Sequence, residues 1–201
     1  MKKKLLALAA IMICVSIVSL GTVAYFNAEQ QAHNIITTGS IDIDLVEEMI
    51  VDGTKVPFED QEGVMPGESV SKIVTVKNTG EADAYIRVWV NTAISEPGDP
   101  ITNPLIKNLP LTIEVEGETV ELIDIDYNTE DWEQGEDGYW YYGKALKAGE
   151  TTEPLFENVT FHKLMGNAYQ NSRTIVDVSA EATQMANNGE SAMEAAGWPE
   201  T

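Results

Sequence analysis

Val64–Val90, VMPGESVSKIVTVKNTGEADAYIRVWV, decides how this chain folds. Pro66-Gly67 opens it with a turn-forming pair. Val70–Lys77 follows, a run rich in β-branched residues that suit a pleated surface. Asn78-Thr79-Gly80 then interrupts with residues that tolerate positive φ. In Tyr85–Val90, Ile86, Val88 and Val90 fall on one face and Tyr85, Arg87 and Trp89 on the other. A period of two means strand, so the stretch reads as strand, turn, strand. Two strands alone are marginal in water. The pair is therefore expected to form the middle of an antiparallel sandwich.

The flanking sequence supplies the other strands. Ile41, Ile43 and Leu45 alternate with Asp42 and Asp44, whose shared outward face reads as solvated. Asp52-Gly53 and Glu59–Gly63 mark turns or a loop. Ser95–Pro110 holds four prolines and reads as a long connection with at most a short helical turn. Leu111, Ile113 and Val115 alternate up to a turn at Glu116-Gly117. Val120–Tyr127 reads as one strand, Asp131–Gly138 as an acidic loop, and Tyr139–Lys144 as an aromatic strand. Leu155, Val159 and Phe161 mark a further strand, and His162–Ser172 a loop. Thr174–Gln184 carries Val176, Val178, Ala180 and Ala182 on one face, and Ser191–Ala196 suits a short helix. Eight or nine short strands with turn signals between them predict an all-β, antiparallel, jelly-roll-like sandwich. The sandwich is expected over 39–201.

Two segments precede it. Met1–Ala24 has Lys2, Lys3 and Lys4, then an apolar span from Leu5 to Leu20, then small residues at Thr22 and Ala24. This is the pattern of a secretory signal helix, with cleavage between Ala24 and Tyr25. An uncleaved anchor is the alternative, but the span is short against the ~20 residues a bilayer requires. Cys14 does not suit lipoprotein processing, because Ile13 before it is bulky. Tyr25–Thr38 forms an arm with Phe26, Ala28, Ala32 and Ile36 on one face, interrupted by Gln30 and Asn34. Such an arm suits pairing with a sheet edge, its own or another chain's; a frayed terminus is the plain alternative.

Charge narrows the partners. The chain of 201 residues has 33 acidic and 12 basic side chains, a net charge of −21. Removing the leader takes three lysines and no acid, leaving nine bases against 33 acids, a net of −24, and no cysteine. Nucleic acid and anionic membrane surfaces are excluded as partners of the processed chain. Disulfides and thiolate metal sites are excluded with them.

Candidate chemistry is sparse. A zinc peptidase usually needs His-Glu-x-x-His; the chain has His33 and His162 alone, with unsuitable neighbours. No Gly-x-Ser-x-Gly elbow is present. Asp126, Asn128, Glu130 and Asp137 echo a calcium loop, but Asp131 stands where the sharp-turn glycine belongs, so a solvated acidic loop is the default. Trp132, Tyr139, Trp140, Tyr141 and Tyr142 offer a sugar platform, with core packing as the default. The residues thus imply no catalytic group and no cofactor, calcium being the one candidate.

The leader Lys2–Ala10 with Leu20–Leu45, LGTVAYFNAEQQAHNIITTGSIDIDL, resembles exported proteins processed by a SipW-type signal peptidase of Gram-positive bacteria. The likeness continues through Val64–Val90, Ala145–Phe161 and Val178–Trp198. The chain thus resembles the TasA/camelysin family. That resemblance implies a secreted jelly-roll-like protein of the cell surface or biofilm matrix, whose partners are the signal peptidase and further fibre subunits. It also implies that the arm, with Phe26, Ala28, Ala32 and Ile36, completes the sheet of the next subunit. Some members carry a metalloendopeptidase label, which stands as the alternative, beside a calcium- or carbohydrate-binding surface module.

Overall fold

The structure is a computed structural model that describes residues 40–97 and 106–199. The predicted signal helix, the Ala24/Tyr25 cleavage point and the arm lie outside the described residues. Gly39–Thr201 is one compact unit.

The chain enters with β1 (Ile43–Val51), which turns at Asp52-Gly53 into β2 (Thr54–Pro57). Both turn residues have positive φ, 51° and 78°, as a two-residue hairpin with right-handed twist requires. A loop leads to β3 (Ser69–Asn78), then β4 (Ala84–Ser95) and β5 (Asn108–Leu109). The hairpin of β6 (Thr112–Val115) and β7 (Glu118–Glu121) follows. Next come β8 (Ile123–Ile125), β9 (Trp132–Gln134), β10 (Trp140–Tyr142), β11 (Phe156–Phe161) and β12 (Arg173–Gln184). One sheet has the order β2-β1-β3-β11-β8, the other β12-β4-β10-β9 with β5 beside the end of β4; β6 and β7 pair only with each other. All ladders are antiparallel.

The all-β sandwich is as the sequence predicts, with strands crossing repeatedly between two layers. Its core is built from the expected faces. Val74 and Val76 of β3 and Ile86 and Val88 of β4 are fully buried, and Trp132, Leu122, Leu155 and Phe156 fill the space between the layers. Ile41, Ile43 and Leu45 pack on this core, as do Val176, Val178, Ala180 and Ala182 of β12.

Several readings change. β3 and β4 are both interior strands, but of different sheets, so Asn78–Gly80 starts a crossover rather than a hairpin. Neither Asn78 nor Gly80 takes a positive φ. Gly80 is needed for close approach instead, since a Cβ there would lie 2.4 Å from the Ser40 carbonyl oxygen. Asn78, fully buried, closes the crossover: its Nδ2 donates to the carbonyls of Ala82 and Leu146, and its Oδ1 accepts from the Gly80 N–H. Val120–Tyr127 is two strands in different sheets, broken at Leu122. The acidic stretch 131–138 contains β9, and the end of the proline-rich connection forms β5. The short helix near Ser191 is a single 3-10 turn, Ala192–Glu194.

Two outcomes follow from this packing. Gly80→Ala should cost about 1–3 kcal/mol in urea unfolding, because backbone must move to admit the methyl. Tyr127 stacks on Trp140 with centroids 4.2 Å apart. Burial pushes its phenol up to about 12, against a hydrogen bond to Trp140 that lowers it and with Glu121 adding to the rise. A folded-state pKa above the unfolded 10 gives stability that is whole below pH 10 and is lost as pH rises toward 12. Tyr127→Phe should therefore show a shallower alkaline loss than the parent in unfolding midpoints measured across that window.

Candidate functional site

Sheet edges are where this fold can take a partner, because each presents unpaired backbone groups. Three of the four edges of the main sheets are blunted. β2 is four residues long with Lys55 and Pro57; β8 and β9 have three residues each. β12 is different. It runs twelve residues, pairs with β4 along its whole length, and has no neighbour on its other side among the described residues. It contains neither proline nor lysine.

Beside the first half of β12 lies a groove of about 1170 Å³. Its floor includes Val70, Val159 and Phe161 of the first sheet, and its β12 wall includes Val176 and Val178. The opposite rim is the loop after β2. Phe58 fixes that loop: its ring lies 4.1 Å from the Lys72 ammonium, which pairs with Glu47 at 2.6 Å. The Lys72 side chain is only 7% exposed, so removing Glu47 would leave a buried charge with one partner fewer. Arg173 reaches Asp60 across the mouth at 3.9 Å. The groove thus has an apolar floor, a charged rim and a free strand along one wall.

A second constellation lies on the outer face of the second sheet. Arg87 pairs with Glu181 at 2.7 Å, and its guanidinium sits between the rings of Tyr139 at 4.0 Å and Trp198 at 4.7 Å. Tyr141 donates to Asp137 at 2.7 Å. Burial and this bond to Asp137 push the Tyr141 phenol up; burial and the Glu181 charge do the same for Tyr139. Burial opposes the charge on Arg87, but its bonds to Tyr141 and Glu181 outweigh that and raise its pKa. The groups here are a permanent cation, neutral phenols and paired carboxylates. The cluster clamps the C-terminal segment onto the sheet, with Ala192 buried beneath it.

The calcium candidates fall into separate networks. Asp126 accepts from the N–H groups of Glu157 and Asn158 at 2.9 and 2.7 Å, at the irregularity where β11 shifts register. Asn128 Oδ1 accepts from the N–H groups of Glu130 and Asp131, forming an Asx turn. Glu130 is exposed. Asp137 serves Tyr139 and Tyr141. Among the described residues, no group of three or more His, Cys, Asp or Glu is placed to hold a metal ion. His162 accepts from the Leu164 N–H through Nδ1 and shapes a turn; His33 lies outside the described residues. Of the aromatic set, Trp132, Trp140 and Tyr142 are in the main core, and Tyr141 is buried on the outer face.

The β12 edge and its groove were not singled out in the sequence. The available signal was the length of Thr174–Gln184, alternating and free of proline and lysine. Nothing local says which side of a strand stays unpaired.

Among the described residues, no helix is long and apolar enough to cross a membrane. No curated protein and no solved structure matches the chain. A family model described as camelysin metallo-endopeptidase matches residues 1–188. That match takes in most of the chain, including every strand of the sandwich, so the chain belongs to the camelysin metallo-endopeptidase family.

Proposed function

We propose that this protein is an exported, non-enzymatic surface subunit that polymerises by strand donation. Tyr25–Thr38 of one copy lies along β12 of the next and fills its groove. The observation that carries the reading is the twelve-residue open edge beside an apolar groove. At ~3.4 Å per residue, a fourteen-residue arm is long enough for that edge. Main-chain hydrogen bonds would supply affinity, and alternate side chains would enter the groove. Phe26 and Ile36 would each add roughly 1.5–3 kcal/mol on full burial, the alanines less. A head-to-tail contact that does not close on itself makes a filament. Membership of a family with exported members, together with the leader pattern, supports the cell surface or matrix as its place.

The family description names a metallo-endopeptidase. The described residues do not fit a peptidase zinc site: His162 accepts a hydrogen bond within a turn, and no group of three or more His, Cys, Asp or Glu among them is placed to hold a metal ion. The structural reading is therefore preferred, with chelator-sensitive peptide cleavage by pure protein as the result that would reverse it.

Deleting residues 25–38 should abolish polymers seen by electron microscopy while leaving a cooperative thermal transition. The shortened copy still accepts an arm but donates none. Added in small amounts to the processed chain, it should cap growth and shorten filaments. Undiminished polymerisation of the deletion variant, or an arm docked stably on its own β12, would end the proposal. A net charge of −24 opposes association, so polymer yield in sedimentation should rise from about 10 mM to about 500 mM salt as screening shortens. It should also rise as pH falls toward the carboxylate range near 4.

A further inference from the structure

The C-terminal segment covers only half of the second sheet's outer face. It lies over Tyr85 and Tyr141, and Trp198 stacks on Arg87. The next cross-strand pairs, Trp89 with Ser179 and Asn91 with Asp177, are left open. All four side chains are exposed, and Trp89 is 39% exposed despite its size. An indole left in water on a rigid sheet is an informative exception to burial.

Trp89 is also held in place. Its ring contacts Tyr139 at 5.2 Å. A Cβ on Gly138 would come within 2.8 Å of it, so the indole rests close on glycine backbone that already has a φ of 86°. Polar groups stand beside it. Asn91, Ser179 and Asp177 make no side-chain hydrogen bond among the described residues. Directly opposed residues on a sheet face sit ~5 Å apart, and next-but-one residues ~7 Å apart. The amide, hydroxyl and carboxylate therefore flank the indole on one side, within about the width of one sugar.

We propose that Trp89, with Asn91, Ser179 and Asp177, is a binding site for a pyranose unit of an uncharged glycan. A hexopyranose has an apolar face of C–H bonds and a rim of hydroxyls. The face stacks on the indole, and the rim exchanges hydrogen bonds with the three polar side chains. Charge selects against other polymers. Arg87, two residues from Trp89 on the same strand, is committed to Glu181 and Asp137, and Asp177 adds a further negative charge. Anionic polysaccharide is repelled both locally and by the net charge of −21. The indole and Asn91 lie on β4, away from the groove, whereas Ser179 and Asp177 lie on β12 and Asp177 also lines the groove, so the site adjoins the edge used for strand donation.

The test uses the full chain and tryptophan fluorescence titration. Probes are uncharged hexasaccharides of β-1,4-linked glucose and of β-1,4-linked N-acetylglucosamine, with an oligogalacturonate as the anionic comparison. At least one uncharged probe should give a saturable change, and the anionic one should bind more weakly. Calorimetry should then show Trp89→Ala weakening that probe by about tenfold or more, and Asn91→Ala with Ser179→Ala by several-fold. Trp89→Phe should recover part of the loss. Melting temperature should stay within about 2 °C for all these surface variants. Deleting residues 25–38 should leave glycan binding intact, which separates failure here from failure of the polymer. Absence of saturable binding by both uncharged probes overturns the site, as does Trp89→Ala binding like the parent. Preference for the oligogalacturonate also overturns it. So does a Trp89→Ala effect confined to self-association, which would make the platform a contact between copies.

Discussion

The ladder between β4 and β12 is the constraint on which the rest of the molecule depends. It is the longest in the structure, with every residue of each strand in register from Arg173↔Ser95 to Gln184↔Ala84. A one-residue slip would turn over one strand relative to the other. If β12 slipped against β4, Val178 and Ala180 would leave the core and Glu181 would enter it, parted from Arg87. A carboxylate buried without its guanidinium partner would cost several kcal/mol in desolvation. Apolar packing on one face and a clamped ion pair on the other therefore select the same register. Because β4 is interior and β12 terminal, the ladder also defines the open edge.

Alternation made the long strands legible. Ile41–Leu45, Val70–Lys77, Tyr85–Val90 and Thr174–Gln184 each carry a period-two pattern, and each lies in or at the start of a strand facing the core as expected. Pairing was less legible, because partners are chosen over long sequence separations. β3 and β4 follow each other closely and invite a hairpin reading, yet five residues separate them, more than the tightest hairpins use. The break at Leu122 did have a local sign: the apolar phase runs Val120, Leu122 and then shifts to Ile123, Ile125, Tyr127. β2 and β9 gave too little signal, one carrying Lys55 and Pro57 and the other a lone tryptophan among acids. For the candidate sites, outward placement of Trp89 was legible. Its exposure was not, since that depends on where a segment about one hundred residues later stops covering the sheet.

An open twelve-residue edge is normally a hazard, and proteins blunt such edges with proline, lysine or a bulge. β12 has none of these along its length. The protection present is of longer range. Asp177 and Glu181 stand on the edge strand itself, and 33 acidic residues oppose 12 basic ones over the whole chain. Two such molecules meeting edge to edge bring together surfaces of like sign, and at moderate ionic strength that repulsion acts over ~10 Å. A short segment with one glutamate and no lysine or arginine, such as Tyr25–Thr38, meets a much smaller barrier than a whole second sheet. Charge thus discriminates between a single added strand and sheet-to-sheet aggregation, which a lysine in the edge could not do without also weakening the added strand.

The outer face of the second sheet follows a related division of labour. Near the start of β4, Arg87 is surrounded by Tyr139, Tyr141, Trp198, Glu181 and Asp137, so the C-terminal segment is held there by a cation rather than by oil alone. That arrangement leaves Arg87 nothing to offer outside. Two residues further along the same strand, the chain presents an indole, an amide, a hydroxyl and the Asp177 carboxylate, with no cation among them. An acidic protein that kept a free arginine on this face would attract anions and other copies of itself. With Arg87 enclosed among rings and carboxylates and Trp89 exposed beside Asp177, the face offers apolar surface and hydrogen-bonding groups without an available guanidinium from Arg87.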